Sequence, residues 1–245
     1  MNELPIKLKN CPIKEAIFEV RFESTFPPGA VFGISYNALK EKYANFEPLP
    51  ITQLPESVRD SDPDLFFQPH YRAKRDTFVV QIGPRILSIN SIEPYPGWDN
   101  YKSEILSVLE AIKSSNLVSG VARIGLRYRN VFANQILKDI NFNVRINDLD
   151  VTNPETSFRT VFDEDNGFKT ILQIAGEVAV KEADGSTYTG SLIDIDVSFM
   201  AEEVPFLENP ETFLEITHSI EKTHFFALLK HEFLQSFEPV YGDGV

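Results

Sequence analysis

Glu15-Ala16-Ile17-Phe18-Glu19-Val20-Arg21-Phe22 sets Ala16, Phe18, Val20 and Phe22 on one side and Glu15, Ile17, Glu19 and Arg21 on the other. Such a period of two marks a β-strand with one buried face, because successive side chains leave the pleat in opposite directions. After it, Val31–Tyr43 reads as a short helix that stops before Pro48 and Pro50. Residues 53–70, rich in proline and acid, read as a long loop that Phe66 and Phe67 pin to the core. Thr77–Ile82 and Arg85–Asn90 form a hairpin on Gly83-Pro84. Trp98–Asn116 is a helix with the apolar stripe Tyr101, Ile105, Val108, Leu109 and Ile112. Gly120–Phe132 is again a strand. Phe158–Phe162 and Phe168–Val180 are joined through Asp165-Asn166-Gly167, where Asn-Gly is a strong hairpin signal. Asp184-Gly185 turns the chain into a last strand, Tyr188–Met200. Asn209 as N-cap, Pro210 at the first helical position and Glu211 in the first turn open a final helix expected to reach about Phe237. Its stripe reads Phe213, Ile216, Ile220, Ala227 and Leu234.

Hairpins outnumber β-helix-β crossovers, so the expected fold is α+β: a mostly antiparallel sheet with long amphipathic helices. Ala16–Phe22 also echoes Ala122-Arg123-Ile124-Gly125-Leu126-Arg127-Tyr128. Both stretches place an Arg before the last aromatic, with a long helix downstream. The echo raises a second expectation, two related β-α-β-β-α halves (1–118 and 119–245) within one compact unit.

The 245 residues carry 36 acidic and 23 basic side chains, a net charge of −13, which argues against general affinity for nucleic acid or anionic membranes. The charge is segregated. Residues 139–215 hold 17 acids and 4 bases, whereas residues 1–138 hold 15 acids and 17 bases. The acidic third is either a solvated face or a docking surface for a basic partner. A basic counterpart in another copy lies at Arg72, Lys74 and Arg75. Cys11 is the only cysteine, which excludes an internal disulfide and a cysteine-rich zinc site. Met1-Asn2-Glu3-Leu4-Pro5 lacks the apolar run of a signal peptide, and the longest apolar stretch, Ile171–Val180, is broken by Gln173 and Glu177. A soluble, cytoplasmic chain is expected.

Catalytic templates are missing: there is no nucleophile elbow, no phosphate-cradling glycine loop and no His-Glu-x-x-His. His224 and His231, seven residues apart on the expected helix, stand about 10.5 Å apart along its axis, too far to share one zinc. His218 and His224 fail by the same arithmetic, and all three are expected to make structural hydrogen bonds. Cys11, ahead of Pro12, has nothing to depress its pKa. No catalytic residue, metal ligand or cofactor is assigned. The polar residues that remain lie on strand faces: Arg123, Arg127 and Arg129 on one, Arg21 with Glu15 and Glu19 on another, and Asp194 with Asp196 on a third. They form either a cross-strand ladder of ion pairs, with Arg127 facing Asp194 or Asp196, or a concavity that binds phosphate or carboxylate and holds Mg²⁺ on the aspartates.

Pro12-Ile13-Lys14-Glu15-Ala16-Ile17-Phe18-Glu19-Val20-Arg21-Phe22 resembles the opening of a family of sporadically distributed bacterial proteins of about this length. Further similarities run in order through Gln81-x-Gly83-Pro84, Leu87–Asn90, Tyr95-Pro96, Gly125-Leu126-Arg127-Tyr128-x-Asn130 and Ile193–Asp196. The family carries no assigned activity. The resemblance implies a shared fold and a bacterial cytoplasmic origin, and its distribution associates it with mobile islands that collect defence and toxin–antitoxin modules.

The leading reading is a non-catalytic protein-interaction module or homo-oligomer whose acidic surface, with Glu202, Glu203 and Glu208 in the loop after Met200, docks a protein partner. The alternative is a small-anion or nucleotide-binding protein, an enzyme among the options, that uses Arg21, Arg123, Arg127, Arg129, Asp194 and Asp196. A third is an acidic antitoxin or nucleic-acid mimic.

Overall fold

The computed structural model of the protein describes residues 4–151, 153–182, 184–200 and 206–242. Its main elements, in chain order, are β1 (Ile13–Glu23), α1 (Pro28–Leu39), β2 (Phe46–Pro48), α2 (Glu56–Ser61), β3 (Tyr71–Arg75), β4 (Phe78–Gly83), β5 (Ile86–Ile92), α3 (Trp98–Ser114), β6 (Gly120–Phe132), β7 (Ser157–Asp163), β8 (Phe168–Lys181), β9 (Thr187–Met200), α4 (Pro210–Leu228) and α5 (His231–Gln235). The strands form one nine-stranded, antiparallel sheet in the order β7-β8-β9-β6-β1-β5-β4-β3-β2. The fold is α+β. Among the described residues, no helix is long and apolar enough to cross a membrane.

The chain folds into two compact units, each drawing on both 1–118 and 119–245. The first unit comprises Glu15–Leu126 and Ser198–Thr217; the second comprises Met1–Lys14, Arg127–Val197 and His218–Val245, as far as these are described.

In the first unit, Ala16, Phe18, Val20 and Phe22 are all buried, while the alternate residues of β1 are only partly so. Removing each large apolar side chain from water contributes roughly 1.5–3 kcal/mol, so this face holds the strand in place. Register carries the same face into β5, with Phe18 opposite Ile89 and Val20 opposite Leu87. Helix α3 buries Tyr101, Ile105, Val108, Leu109 and Ile112, and the Tyr101 hydroxyl donates to the Ile89 carbonyl at 2.7 Å. Phe206 packs on Phe18 and Phe213, at ring distances of 6.1 and 5.6 Å. At the β4–β5 turn, a Cβ on Gly83 would lie 2.5 Å from the Gln68 carbonyl oxygen, so only glycine admits that close approach.

In the second unit, Phe168, Thr170, Leu172 and Ile174 form the buried side of β8. The expected Asp165-Asn166-Gly167 connection is present as a single 3₁₀ turn with Gly167 at φ 83°.

Four expectations need correction. Helix α1 starts at Pro28, three residues early, because a proline suits the first helical position. Residues 53–70 contain α2, with Glu56 in its first turn and Arg59 in its last. Tyr71–Arg75, absent from the expected order, is a strand paired with β4. The last helix stops at Leu228, since Asn141 N–H donates to the Leu228 carbonyl, Lys230 N–H donates to the Asp139 carbonyl, and Lys230 is extended at ψ 152°. On α4 the buried stripe is Leu214, Thr217, Glu221 and Phe225; Ile216 is exposed.

Candidate functional site

The strand-face residues resolve into two guanidinium clusters, each centred on one carboxylate. In the first unit, Glu19 Oε1 accepts from Arg21 Nε and Arg123 Nη1, both at 2.8 Å. The Arg21 guanidinium also lies 4.7 Å from the centre of the Phe67 ring, which ties the 53–70 segment to the strand face. A Cβ on Gly125 would lie 2.9 Å from Arg123 Nη1, so the glycine provides the lane in which this guanidinium lies.

In the second unit, Arg127 holds Asp194 through two parallel bonds, Nε to Oδ1 at 2.7 Å and Nη2 to Oδ2 at 2.5 Å. Fork-to-fork pairing of this kind is the strongest neutralisation a carboxylate can receive from one side chain. Asp194 needs it, being only 3% exposed. Arg129 Nε stands 3.8 Å from the same carboxylate. Asp196 lies two residues on along the same strand face and is half-buried. In each cluster two guanidiniums approach one carboxylate, and Arg127 and Arg129 are each more than two-fifths exposed. Among the described residues, no three His, Cys, Asp or Glu side chains gather as a metal site would require.

The docking residues divide by strand parity. Arg72 and Lys74 are exposed on one side of β3, where Arg72 meets Glu47 at 3.4 Å. Arg75 turns the other way and donates to Glu104 at 2.5 Å. Glu104, 5% exposed, also accepts from Lys42 at 2.8 Å and from the Tyr43 hydroxyl at 2.6 Å. Burial, followed by the Glu104 carboxylate, raises the Tyr43 pKa. Arg75 is therefore committed to this buried carboxylate within its own chain. Arg75→Ala is expected to cost about 1–2 kcal/mol in urea unfolding, because Lys42 and Tyr43 remain on Glu104 and Arg75 is partly solvated. Unchanged stability would show that Lys42 alone compensates. Glu208 is exposed at the end of a 3₁₀ turn; Glu202 and Glu203 lie outside the described residues.

Of the helical histidines, His218 Nδ1 lies 3.4 Å from the Tyr128 hydroxyl. His224 Nε2 lies 2.6 Å from Glu164, with its ring stacked on Phe162. His231 is exposed on α5.

Two features escaped the sequence reading. A cavity of about 160 Å³ in the first unit is lined by residues including Arg59, Asp60, His70 and Tyr71. Burial, followed by the Arg59 charge, lowers the His70 pKa. The second is Glu221, 6% exposed, whose pKa burial pushes up to about 8. A helical Glu beside a Lys gives no sequence signal of burial. The chain matches no protein-family model, and no curated protein matches it.

Proposed function

We propose that the protein is a non-catalytic interaction module that docks a basic protein through the acid-rich part of its second unit. The observation that carries this reading is a group of exposed acids in that unit, none of which meets a cation among the described residues. Asp148, Glu155, Asp165, Glu177 and Asp184 are all exposed there, from the small hairpin that pairs Arg145–Ile146 with Leu149–Asp150, through β7 and β8, to the turn before β9. Exposed, unneutralised acids repel one another, and a basic partner would relieve that repulsion. A cytoplasmic location and a role in a mobile-island defence or toxin–antitoxin system belong to the proposal, the role resting on the family resemblance alone. The shared origin of the two halves belongs to it as well, supported by the sequence echo and by the arginines that both β1 and β6 carry on the face opposite their buried residues.

The reading is tested by capture from the native host with the wild-type chain and with Asp148→Lys/Glu155→Lys/Glu177→Lys. The variant is expected to keep the melting curve of the wild type and to lose the basic protein that the wild type retains. Retention of the same protein by both would refute the docking surface.

A second reading, small-anion or nucleotide binding, is favoured by the two partly exposed guanidiniums, Arg127 and Arg129, that stand side by side at Asp194. If it holds, inorganic phosphate or a nucleotide raises the melting temperature of the wild type and fails to raise that of Arg127→Ala.

A further inference from the structure

Strand β7 is the last strand at one end of the sheet, and among the described residues no strand pairs with its outer edge. Its hydrogen-bond parity can be read from the bonds that flank it. Glu164 N–H donates to the Phe168 carbonyl and Gly176 N–H to the Thr156 carbonyl, at 2.8 and 2.9 Å. The register pairs Phe158 with Ile174, Thr160 with Leu172 and Phe162 with Thr170. Bonded and non-bonded pairs alternate in an antiparallel ladder, so the even-numbered residues of β7 bond inward to β8. The N–H and C=O groups of Ser157, Arg159, Val161 and Asp163 therefore point out of the sheet, and none of them bonds to another described group.

An open edge of seven residues is a template for another strand, and natural sheets blunt such edges with proline, lysine or brevity. The short strand β2 ends on Pro48. Strand β7 has neither proline nor lysine, and it exposes Val161 and Phe162 at 47% and 39%. Its charges sit on the same side as Val161, with Arg159 two residues before it and Asp163 two residues after. Arg159 is exposed and makes no hydrogen bond or ion pair among the described residues; Asp163 meets only Lys169, at 3.1 Å across a solvent-exposed pair.

We propose that β7 pairs antiparallel with β7 of a second copy about a two-fold axis through Val161. Centring on an odd residue brings the outward-pointing groups of the two edges into bonded pairs, as the parity requires. Val161 then faces Val161 of the second copy, and Arg159 of each chain faces Asp163 of the other. Opposite charges directly across an antiparallel pair stabilise it, and a two-fold interface makes the same contact twice. A register centred on Thr160 satisfies the parity equally but sets Arg159 against Val161 and Asp163 against Ser157, leaving the charges unmatched. The inference rests on the backbone and charges of β7 and is independent of the docking surface proposed above.

Sedimentation velocity on the full chain across a concentration series tests it. The wild type is expected to form a concentration-dependent dimer. Arg159→Asp places two aspartates against two aspartates, and Asp163→Arg places two arginines against two arginines. Each variant alone is expected to weaken the dimer about tenfold or more while keeping the wild-type circular dichroism spectrum. An equimolar mixture of the two variants restores it, because every facing pair is then Arg against Asp. Val161→Arg, which sets two arginines on the axis, gives a further monomer. A wild type that stays monomeric at every concentration, a dimer that both single variants retain, or a mixture that fails to recover it would overturn the proposal.

Discussion

Glu221→Gln is expected to make the protein more stable than the wild type above pH 8 and equal to it below pH 4. The Glu221 carboxyl titrates near 8 in the folded chain, against an ordinary value of 4.5, because burial penalises the ionised form and only the neighbouring Lys222 opposes the shift. Between those values the folded state holds a proton that the unfolded state has released. Stability from this group is therefore lost as pH rises from about 4.5 to about 8, the reverse of a salt-bridged carboxylate. The amide of the variant cannot ionise, so the stability difference between variant and wild type widens by about 1.4 kcal/mol per pH unit across that window. Other carboxylates titrate alike in both proteins and cancel. Urea unfolding at a series of pH values measures the difference directly. Parallel curves from pH 5 to pH 9 would mean that the Glu221 carboxyl reaches water or a cation.

The second large effect belongs to Arg127. Arg127→Ala removes both hydrogen bonds from a carboxylate that is 3% exposed, leaving Arg129 at 3.8 Å as its nearest cation. A buried charge stripped of its partner costs several kcal/mol when nothing replaces the partner. Here Arg127 is 41% exposed, so water screens part of the interaction, and the expected loss is about 1–3 kcal/mol. Asp194→Asn removes the charge and leaves two solvated guanidiniums, so it is expected to cost less. The double variant should cost less than the sum of the two, with a coupling of about 1 kcal/mol, since the stranded carboxylate is then gone. Additive losses would deny that Arg127 and Asp194 act as a pair.

What the sequence made legible follows from alternation and turn chemistry. The period-2 pattern of Ala16, Phe18, Val20 and Phe22 identifies a buried face without any knowledge of neighbours. The same logic puts Arg127 on the face of β6 opposite its buried residues, where a pairing with Asp194 or Asp196 can be anticipated, and the pairing with Asp194 is present. Gly83-Pro84 and Asn166-Gly167 announce turns by backbone preference alone. The remainder depends on partners far along the chain. Nothing near Lys230 forbids a helix; the break arises because residues 139–141 take over the helix-terminal bonds. Arg75 reads as one of three clustered cations until β3 is recognised as a strand, whose parity then turns it toward Glu104. The stripe of α4 eludes periodicity because Phe213, Ile216 and Ile220 make a plausible apolar face, whereas the buried line runs through Thr217 and Glu221, two polar residues that a hydrophobic pattern counts as solvent-facing. The open edge of β7 follows from register and sheet order, neither of which a single strand's sequence contains.

The docking surface is tested most directly by the salt dependence of binding to the captured basic protein, measured by titration calorimetry with wild-type chain and with the Asp148→Lys/Glu155→Lys/Glu177→Lys variant. Attraction between exposed charges fades as the Debye length falls from about 10 Å at 0.1 M salt to about 3 Å at 1 M. The account predicts an affinity that drops steeply over this range for the wild type, together with weak, salt-insensitive binding by the variant. Equal affinity for both proteins, unchanged from low salt to high, would contradict it.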